Sequence, residues 1–342
     1  MGFKVQAILE PWRIPDGFPE KIQALGAEFG VKDCKTEDER IAAARDADFI
    51  ITGLRPYPFT RRVIEGLEKT KFVETLGIGY EGADLKAATE HGIGILHHRG
   101  MCDDELSDHA MALILACSRW ILGLHSRVKM GNPVPAASTE AFQHMSILRD
   151  KTLGIIGLGR TGGALVPKAK GFGMRVLAYD PYVDESSCEK VGVKKVGFDR
   201  LLEEADFISI HTTLNSETRH FIGLDEFKKM KNSAFVINVA RGPLINEPDL
   251  YKALSEGYIA GAGLDVTDPE PPPKDSPLLK YDNVIVTGHN AGASAESNYR
   301  MWSLPIEQVA RVIRGEWPIY VVNPEVKERY IAKWGNVTRS YP

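Results

Sequence analysis

Short apolar runs alternate with helical patterns along the chain. Before residue 100 the runs fall at Val5 to Leu9, Phe49 to Thr52, Phe72 to Leu76 and Ile93 to Leu96. After residue 150 they recur at Leu153 to Ile156, Met174 to Tyr179, Asp206 to His211, Ala234 to Ala240, Ala260 to Asp265 and Val284 to Thr287. Continuous apolar runs of this length belong to strands covered on both faces, and the helical patterns between them supply the cover. Strand and helix in turn predict two parallel sheets wrapped by helices, an α/β protein. One helix starts at Thr36, where Glu39 completes a capping box, and another after Thr60 in FTRRVIEGL. From Asp103 a pattern through ELSDHAMALILACSRWILGLHSRVKM predicts one long helix, apolar nearly all round in its middle and therefore buried. A polar stretch, Gly131 to Pro135, follows it. The amphipathic pattern from about Ser294 to Arg314 cannot extend the second sheet and is expected to return to the first. The domains predicted are 1–101 plus 294–342 and, between these segments, 102–293.

The stretch TLGIIGLGRTGGALVPKAKGFGMRVLAYD, residues 152–180, organises the second domain. An apolar strand breaks into Gly157, Gly159 and Gly162, spaced G-x-G-x-x-G. The first glycine permits a tight turn, the second lets the backbone approach a pyrophosphate, and the third lets the helix pack closely on its strand. The amides near Arg160 and Thr161, at the helix start, would face phosphate oxygens with the positive end of the helix dipole behind them. The next strand ends in Asp180, which can accept hydrogen bonds from both ribose hydroxyls and would repel a 2′-phosphate. Strand, glycine turn, helix and acid together predict a dinucleotide cofactor, and the acid favours NAD over NADP.

Composition narrows the setting. The 342 residues suffice for two cores, and 42 basic against 46 acidic residues give a net charge of −4 with no basic block to invite nucleic acid or an anionic membrane. Cys34, Cys102, Cys117 and Cys188 form no C-x-x-C pair, so reduced thiols and no metal are expected. The start MGFKVQAILEPW is too short in apolar residues for a secretory core, and Ala110 to Leu124 contains Ser118 and Arg119 and falls short of a membrane span. A cytoplasmic protein is expected.

Ligands in open parallel sheets bind beyond the carboxyl ends of strands. Two early strand ends carry loops of interest, GLRPYPFT (53–60) and GIGYEG (77–82). In the second, amides around Gly77, Ile78 and Gly79 can turn toward a carboxylate; in the first, Arg55 can meet a second anionic group. Three late strand ends carry Arg241, Glu270 and His289. Taken singly, each fits a surface role. Together they form a complementary set: histidine to donate a proton to a carbonyl oxygen, a carboxylate to fix and stabilise its imidazolium, and arginine to grip a substrate carboxylate. His97, His98, His109, His125, His144 and His220 read as surface or packing residues.

Seven segments, among them LGIGYEGADLKAATEHGIGI, DELSDHAMALILA, HTTLNSETRHFIG, NVARGPLINEPDLYKAL, GAGLDVTDPEP and VIVTGHNAG, resemble the D-isomer-specific 2-hydroxyacid dehydrogenases nearly end to end. The resemblance implies a flavodoxin-like substrate domain, a Rossmann NAD-binding domain, a cleft between them and a homodimer. It implies oxidoreduction of a small 2-keto or 2-hydroxy acid, with Arg241 binding substrate, Glu270 paired to the histidine and His289 as general acid and base. Gly77 to Gly79 match the loop for the substrate carboxylate and Asp265 a contact to the nicotinamide amide. His211, Thr212, Thr218, Val239, Ala240 and Gly292 are implied along the cofactor. A formate- or phosphite-type dehydrogenase and an NADH-responsive corepressor-like scaffold are the alternatives.

Three departures stand out. His211-Thr212-Thr213 replaces the family's H-x-P. Pro167 lies inside the predicted cofactor helix, where it removes the donor to the Gly163 carbonyl and predicts a kink. The loop bearing Arg55 is similar to that of phosphoglycerate dehydrogenases, which predicts a preference for substrates with a second negative group.

Overall fold

A computed structural model describes residues 2–54, 57–335 and 337. The chain divides into two compact units, 1–101 with 294–342 and 102–293. Unit 1 is built on β1 (Phe3–Ile8), β2 (Ala27–Lys32), β3 (Phe49–Thr52), β4 (Phe72–Thr75) and β5 (Gly94–Leu96), ordered β2-β1-β3-β4-β5 and all parallel. This is the flavodoxin-like order. β3, β4 and β5 are buried at every position, as the apolar runs of β3 and β5 require; β4 buries Glu74 and Thr75 beside Phe72 and Val73. β2, not anticipated from the sequence, is the exposed edge strand; Glu28, Gly30 and Lys32 interrupt its apolar pattern, and only Ala27 is buried. The chain returns to this unit through the helix Ala295–Ile313, capped by Ser294 and Ser297, and the helix Lys327–Trp334. Trp302 meets Phe18 edge-on at 5.0 Å, while Trp317 and Tyr330 close on Phe72 at 5.6 and 5.1 Å.

Unit 2 carries β6 (Thr152–Ile156), β7 (Arg175–Tyr179), β8 (Lys194–Lys195), β9 (Phe207–Ile210), β10 (Phe235–Asn238), β11 (Gly261–Leu264) and β12 (Val284–Val286). The order is β12-β11-β10-β9-β6-β7-β8, parallel throughout, so the strand order reverses beside β6, the position where a doubly wound sheet opens a crevice. Seven strands stand where about six had been counted, the extra being the two-residue β8, too short to leave a pattern. An apolar cluster covers each face of this sheet.

Two expectations are corrected or qualified here. The long helix from Asp103 is two helices, Asp103–Ser118 and Ile121–Lys129. Trp120 breaks it with φ 49°, in the left-handed region that L-residues avoid, and the Ser118 carbonyl accepts a hydrogen bond from the Ser146 amide. The first helix buries Ala110, Met111, Leu113, Ile114 and Cys117 but exposes Ala112, and Ile121, Leu122 and Val128 of the second are exposed. Pro167, where a kink is expected, lies inside a helix assigned continuously from Arg160 to Gly171. Among the described residues no helix is long and apolar enough to cross a membrane.

Candidate active site

Strand register sets the site in unit 2. Tyr179, Ile156, Ile210, Asn238, Leu264 and Val286 are successive register partners across β7, β6, β9, β10, β11 and β12. The residues that follow them, Asp180, Gly157, His211, Val239, Asp265 and Thr287, therefore form one row along the carboxyl edge of the sheet. Five of these six were candidates from the sequence.

At the middle of the row the chain makes the glycine turn. Gly157 has φ 91°, and a Cβ there would stand 2.9 Å from the His211 carbonyl carbon and the Thr212 amide nitrogen, so this turn needs glycine to pass beside the turn after β9. At Gly162 a Cβ would stand 2.2 Å from the Gly157 oxygen, which is the close helix-to-turn packing expected of it. Gly159 differs: nothing lies within 4 Å of its Cβ position. It caps the helix whose first two residues are Arg160 and Thr161. A cradle closed at Gly157 and Gly162 and open at Gly159 fits a diphosphate approaching the helix start. The Arg160 guanidinium itself is held by Asp103 at 2.6 Å.

Asp180, nearly buried, accepts from the Leu158 amide through Oδ2 at 2.9 Å and from the Tyr182 and Val183 amides through Oδ1 at 2.8 and 3.2 Å. A carboxylate offers about four acceptor sites, so its remaining capacity lies on Oδ2. His211 bonds Ser209 Oγ through Nε2 at 2.8 Å, and burial pushes its pKa down to about 4, leaving the ring neutral at neutral pH. Its Nδ1 is buried and has no hydrogen-bond partner. Thr218 commits its hydroxyl to its own loop, donating to the Thr213 carbonyl at 2.7 Å. Val239 is buried and the Ala240 amide is turned to Asn238 Oδ1 at 3.1 Å. At Gly292 a Cβ would meet Cys102 Sγ at 3.0 Å.

Arg241 and His289 each lie three residues past the register row, on β10 and β12, and Glu270 lies six past it on β11, in a loop with cis bonds at Asp268–Pro269 and Glu270–Pro271. The loop brings Glu270 Oε1 to 2.6 Å from His289 Nδ1. Arg241 donates through Nη1 to the Ala240 carbonyl at 2.7 Å. The residue after it, Gly242, would place a Cβ 1.9 Å from the Thr267 carbonyl oxygen, so the turn after Arg241 packs directly against the loop that carries Glu270. Glu247 Oε2 accepts from the Asp268 amide at 3.0 Å, and burial holds its carboxyl above the usual range.

His289 stands at φ 62°, a conformation costly for a non-glycine residue. Asp265 holds it there. The His289 amide donates to the Asp265 carbonyl at 2.5 Å. The buried Asp265 carboxylate accepts from the Asn290 amide at 2.8 Å, the Ala291 amide at 2.9 Å and the Thr287 hydroxyl at 2.6 Å. Thr287 in turn meets His109 Nε2 at 2.9 Å. Sequence reasoning set His109 aside as a packing residue and did not single out Thr287 or Glu247; only the folded register shows that they adjoin the site.

In unit 1 the Gly77 to Gly79 loop follows β4. Its carbonyls are all engaged: Gly77 by the His98 amide at 2.8 Å, Ile78 by His97 Nδ1 at 3.0 Å and Gly79 by the Thr75 hydroxyl at 3.4 Å. Among the described residues, no hydrogen bond is donated by the Ile78 or Gly79 amide, an arrangement suited to an anion. Beneath the loop, Glu74 Oε1 and His98 Nε2 pair at 2.9 Å with both side chains wholly buried, and burial raises the Glu74 carboxyl above its ordinary value. Arg55 lies outside the described residues.

A cavity of about 440 Å³ lies at the opposite edge of the unit 2 sheet, where Phe207, Phe235 and Asn283 stand at the starts of strands and Trp120 stacks on His144 at 4.3 Å. It is remote from the row of candidate residues.

Residues 111–291 match the family described as D-isomer specific 2-hydroxyacid dehydrogenase, NAD binding domain. The chain is 39% identical over 286 residues to a glyoxylate reductase of Korarchaeum cryptofilum, covering 84% of this chain and 86% of that one. It is 38% identical to a D-3-phosphoglycerate dehydrogenase of Methanocaldococcus jannaschii over 87% of its own length, but spans only 56% of that protein. Among solved structures, the holo form of D-mandelate dehydrogenase from Rhodotorula graminis superposes with a TM-score of 0.86 at 27% identity, over 94% of this chain and 98% of that one.

Proposed function

Since the chain belongs to the D-isomer specific 2-hydroxyacid dehydrogenases, NAD-dependent oxidoreductases of 2-keto and 2-hydroxy acids, we propose that it interconverts a small 2-keto acid and its D-2-hydroxy acid with His289 as general acid and base. The observation that carries this reading is the 2.6 Å contact between His289 Nδ1 and Glu270 Oε1. It fixes the tautomer: Nδ1 bears the proton donated to Glu270, and Nε2 is the atom that gives a proton to the carbonyl oxygen in reduction and takes it back in oxidation. Glu270 stabilises the imidazolium present before that transfer, and Arg241 binds the substrate carboxylate. The dinucleotide, when bound, supplies or receives the hydride. Gly157, Gly159 and Gly162 with the helix start would hold its diphosphate, and Asp180 would accept from its ribose and disfavour a 2′-phosphate. Neutral His211 adds no positive charge beside it. In unit 1, the Gly77 to Gly79 amides take the substrate carboxylate, which makes that unit the substrate domain.

The test is NADH oxidation with glyoxylate, hydroxypyruvate, pyruvate, branched 2-keto acids and oxaloacetate, with His289→Ala as control. Glyoxylate heads the panel because of the Korarchaeum relative's name. Turnover on none of them, or turnover that survives in the control, overturns the proposal. Arg55 is proposed to favour a second negative group on the substrate; Arg55→Ala losing equally on a monocarboxylate and a phosphorylated or dicarboxylate 2-keto acid overturns that part.

The active form is proposed to be a cytoplasmic homodimer. Exposed Leu122, Val128, Met130, Phe142 and Ile147 concentrate apolar surface within one stretch of unit 2, which favours burial against a second copy. Four buried thiols suit a reducing compartment.

A further inference from the structure

A hydroxyl carries one hydrogen, and that fact orients the chain of contacts behind His289. Asp265 accepts the Asn290 amide on Oδ1 and the Ala291 amide on Oδ2, so its carboxylate stands as an acceptor on both oxygens. The Thr287 hydroxyl must therefore give its single hydrogen to Asp265 Oδ1 at 2.6 Å. Toward His109 it can only accept, so His109 Nε2 carries a proton and donates it at 2.9 Å. The chain runs in one direction, from His109 through Thr287 to Asp265, and ends on the carboxylate around which residues 287–291 are wound. His109 Nε2 also lies 3.7 Å from Asp265 Oδ1. This side chain belongs to the helix Asp103–Ser118, which no other part of the proposed chemistry uses.

Resting on the proposed proton transfer by His289, we propose that His109 is a positioning residue for that reaction: through the Thr287 hydroxyl it orients the Asp265 carboxylate, and thereby holds His289 in its left-handed backbone conformation beside Glu270. His289 needs such support because φ 62° is unfavourable for a histidine by itself. Remove the donor at position 109, and the Thr287 hydroxyl loses the acceptor role that fixes its rotamer. Asp265 then keeps its two amides but loses its most directional partner, and the turn gains freedom at the residue that must meet a carbonyl oxygen within a few tenths of an ångström. Displacements on the order of 1 Å at a reacting group cost up to about a hundredfold in rate.

The experiment compares His109→Leu, His109→Gln, Thr287→Val and Thr287→Ser by kcat, KM, the Kd for NADH and the melting temperature. Glutamine retains a donor where Nε2 stands, and serine retains the hydroxyl. The expected result is a kcat lowered about tenfold or more in His109→Leu and Thr287→Val, a proportionally smaller rise in the NADH Kd because Asp265 is also the implied contact to the nicotinamide amide, and recovery to within about threefold in the glutamine and serine variants. The double variant is expected to be no slower than either single, because both cut one chain. Unchanged kcat in His109→Leu, or losses that multiply in the double, overturn the proposal. Should His109→Leu not fold, His109→Asn takes its place, since His109 is partly exposed and tolerates a smaller polar side chain. A second readout does not require turnover: the ring ¹⁵N signal of His289, assigned by its loss in His289→Gln, is expected to shift in His109→Leu and to return in His109→Gln. A wild-type protein inactive on every 2-keto acid would overturn the proposed function while this signal still decides the positioning role.

Discussion

Replacing Gly159 by alanine separates folding from cofactor binding. Apart from its chain neighbours, no atom of the described residues lies within 4 Å of the new methyl, and the backbone at this position is extended, with φ −76° and ψ −153°. The folded chain therefore accepts the substitution, and the narrower unfolded ensemble of alanine contributes about 0.4–1 kcal/mol of stability. The methyl fills the space into which a diphosphate must come to reach the amides of Arg160 and Thr161. A hydrogen bond to a charged group contributes about 1.5–3 kcal/mol, so losing one weakens NADH by roughly 10–100-fold. Gly162→Ala behaves differently. Its methyl stands 2.2 Å from the Gly157 oxygen, whereas a carbon–oxygen contact needs about 3.3 Å, so the turn must move by about 1 Å; overpacking of this kind costs about 1–3 kcal/mol. Gly163→Ala, with nothing within 4 Å, is the control. Fluorescence titration with NADH and thermal melts without it read the two effects separately. Gly159→Ala is expected to melt no lower than wild type and to bind NADH at least tenfold more weakly. Gly162→Ala is expected to lose both properties and Gly163→Ala neither. Wild-type affinity in Gly159→Ala, or equal weakening in Gly163→Ala, would refute the reasoning.

Glu270→Gln keeps the contact to His289 Nδ1 but removes the charge that stabilises the imidazolium; kcat is expected to fall by about 10²–10⁴, with NADH binding unchanged by titration. The buried Glu74–His98 pair predicts two results. His98→Leu leaves a buried carboxyl without its hydrogen-bond partner and is expected to cost about 1–3 kcal/mol in urea unfolding. With its pKa raised in the fold, Glu74 keeps its proton above the ordinary value of 4.5, where the unfolded chain has lost it. The folded state then binds more protons, so this group's contribution to stability falls as pH rises above that value. Glu74→Gln is expected to flatten that slope above pH 4.5. Phe142→Asp is expected to shift sedimentation toward the monomer without changing the melting temperature of the monomeric unit by more than a few degrees.

Continuous burial made the central strands legible in the sequence: β3 of unit 1 and β6, β9 and β11 of unit 2 carry no charged residue and are mostly apolar because both faces are covered, while β4 keeps Phe72 and Val73 but buries Glu74 and Thr75. The edges were not legible, since β2 faces solvent at Glu28 and Lys32 and gains its strand form from pairing with β1. Propensity likewise failed at Trp120, where a tertiary hydrogen bond from Ser146 to Ser118 overrides a helical pattern. At the site, the glycine spacing and the ends of β10, β11 and β12 carried the signal, because strand termini place residues at known positions. His109 left no such mark. It lies 178 residues from Thr287, and only the sheet brings the two together. Asp180 shows a subtler gap: its acidic identity could be read, but the commitment of Oδ1 to two amides depends on the turn that follows it.

The row of register partners from Tyr179 to Val286 has a consequence for how this chain tolerates change. The glycine turn and His289 lie past the ends of β6 and β12, with three strands between them, and each pairing is set by a ladder only three to five residues long. Insertions in the linking helices, and in the loops outside 157–162, 265–270 and 287–291, leave that lattice and the residues beside it untouched, however long they are. A single residue added inside β12 shifts His289 by one position and turns its side chain toward the other face of the sheet. Length variation should accordingly be harmless over most of unit 2 and disabling within a few short segments, a pattern that an insertion scan read by growth or turnover would display as sharp gaps at the strands.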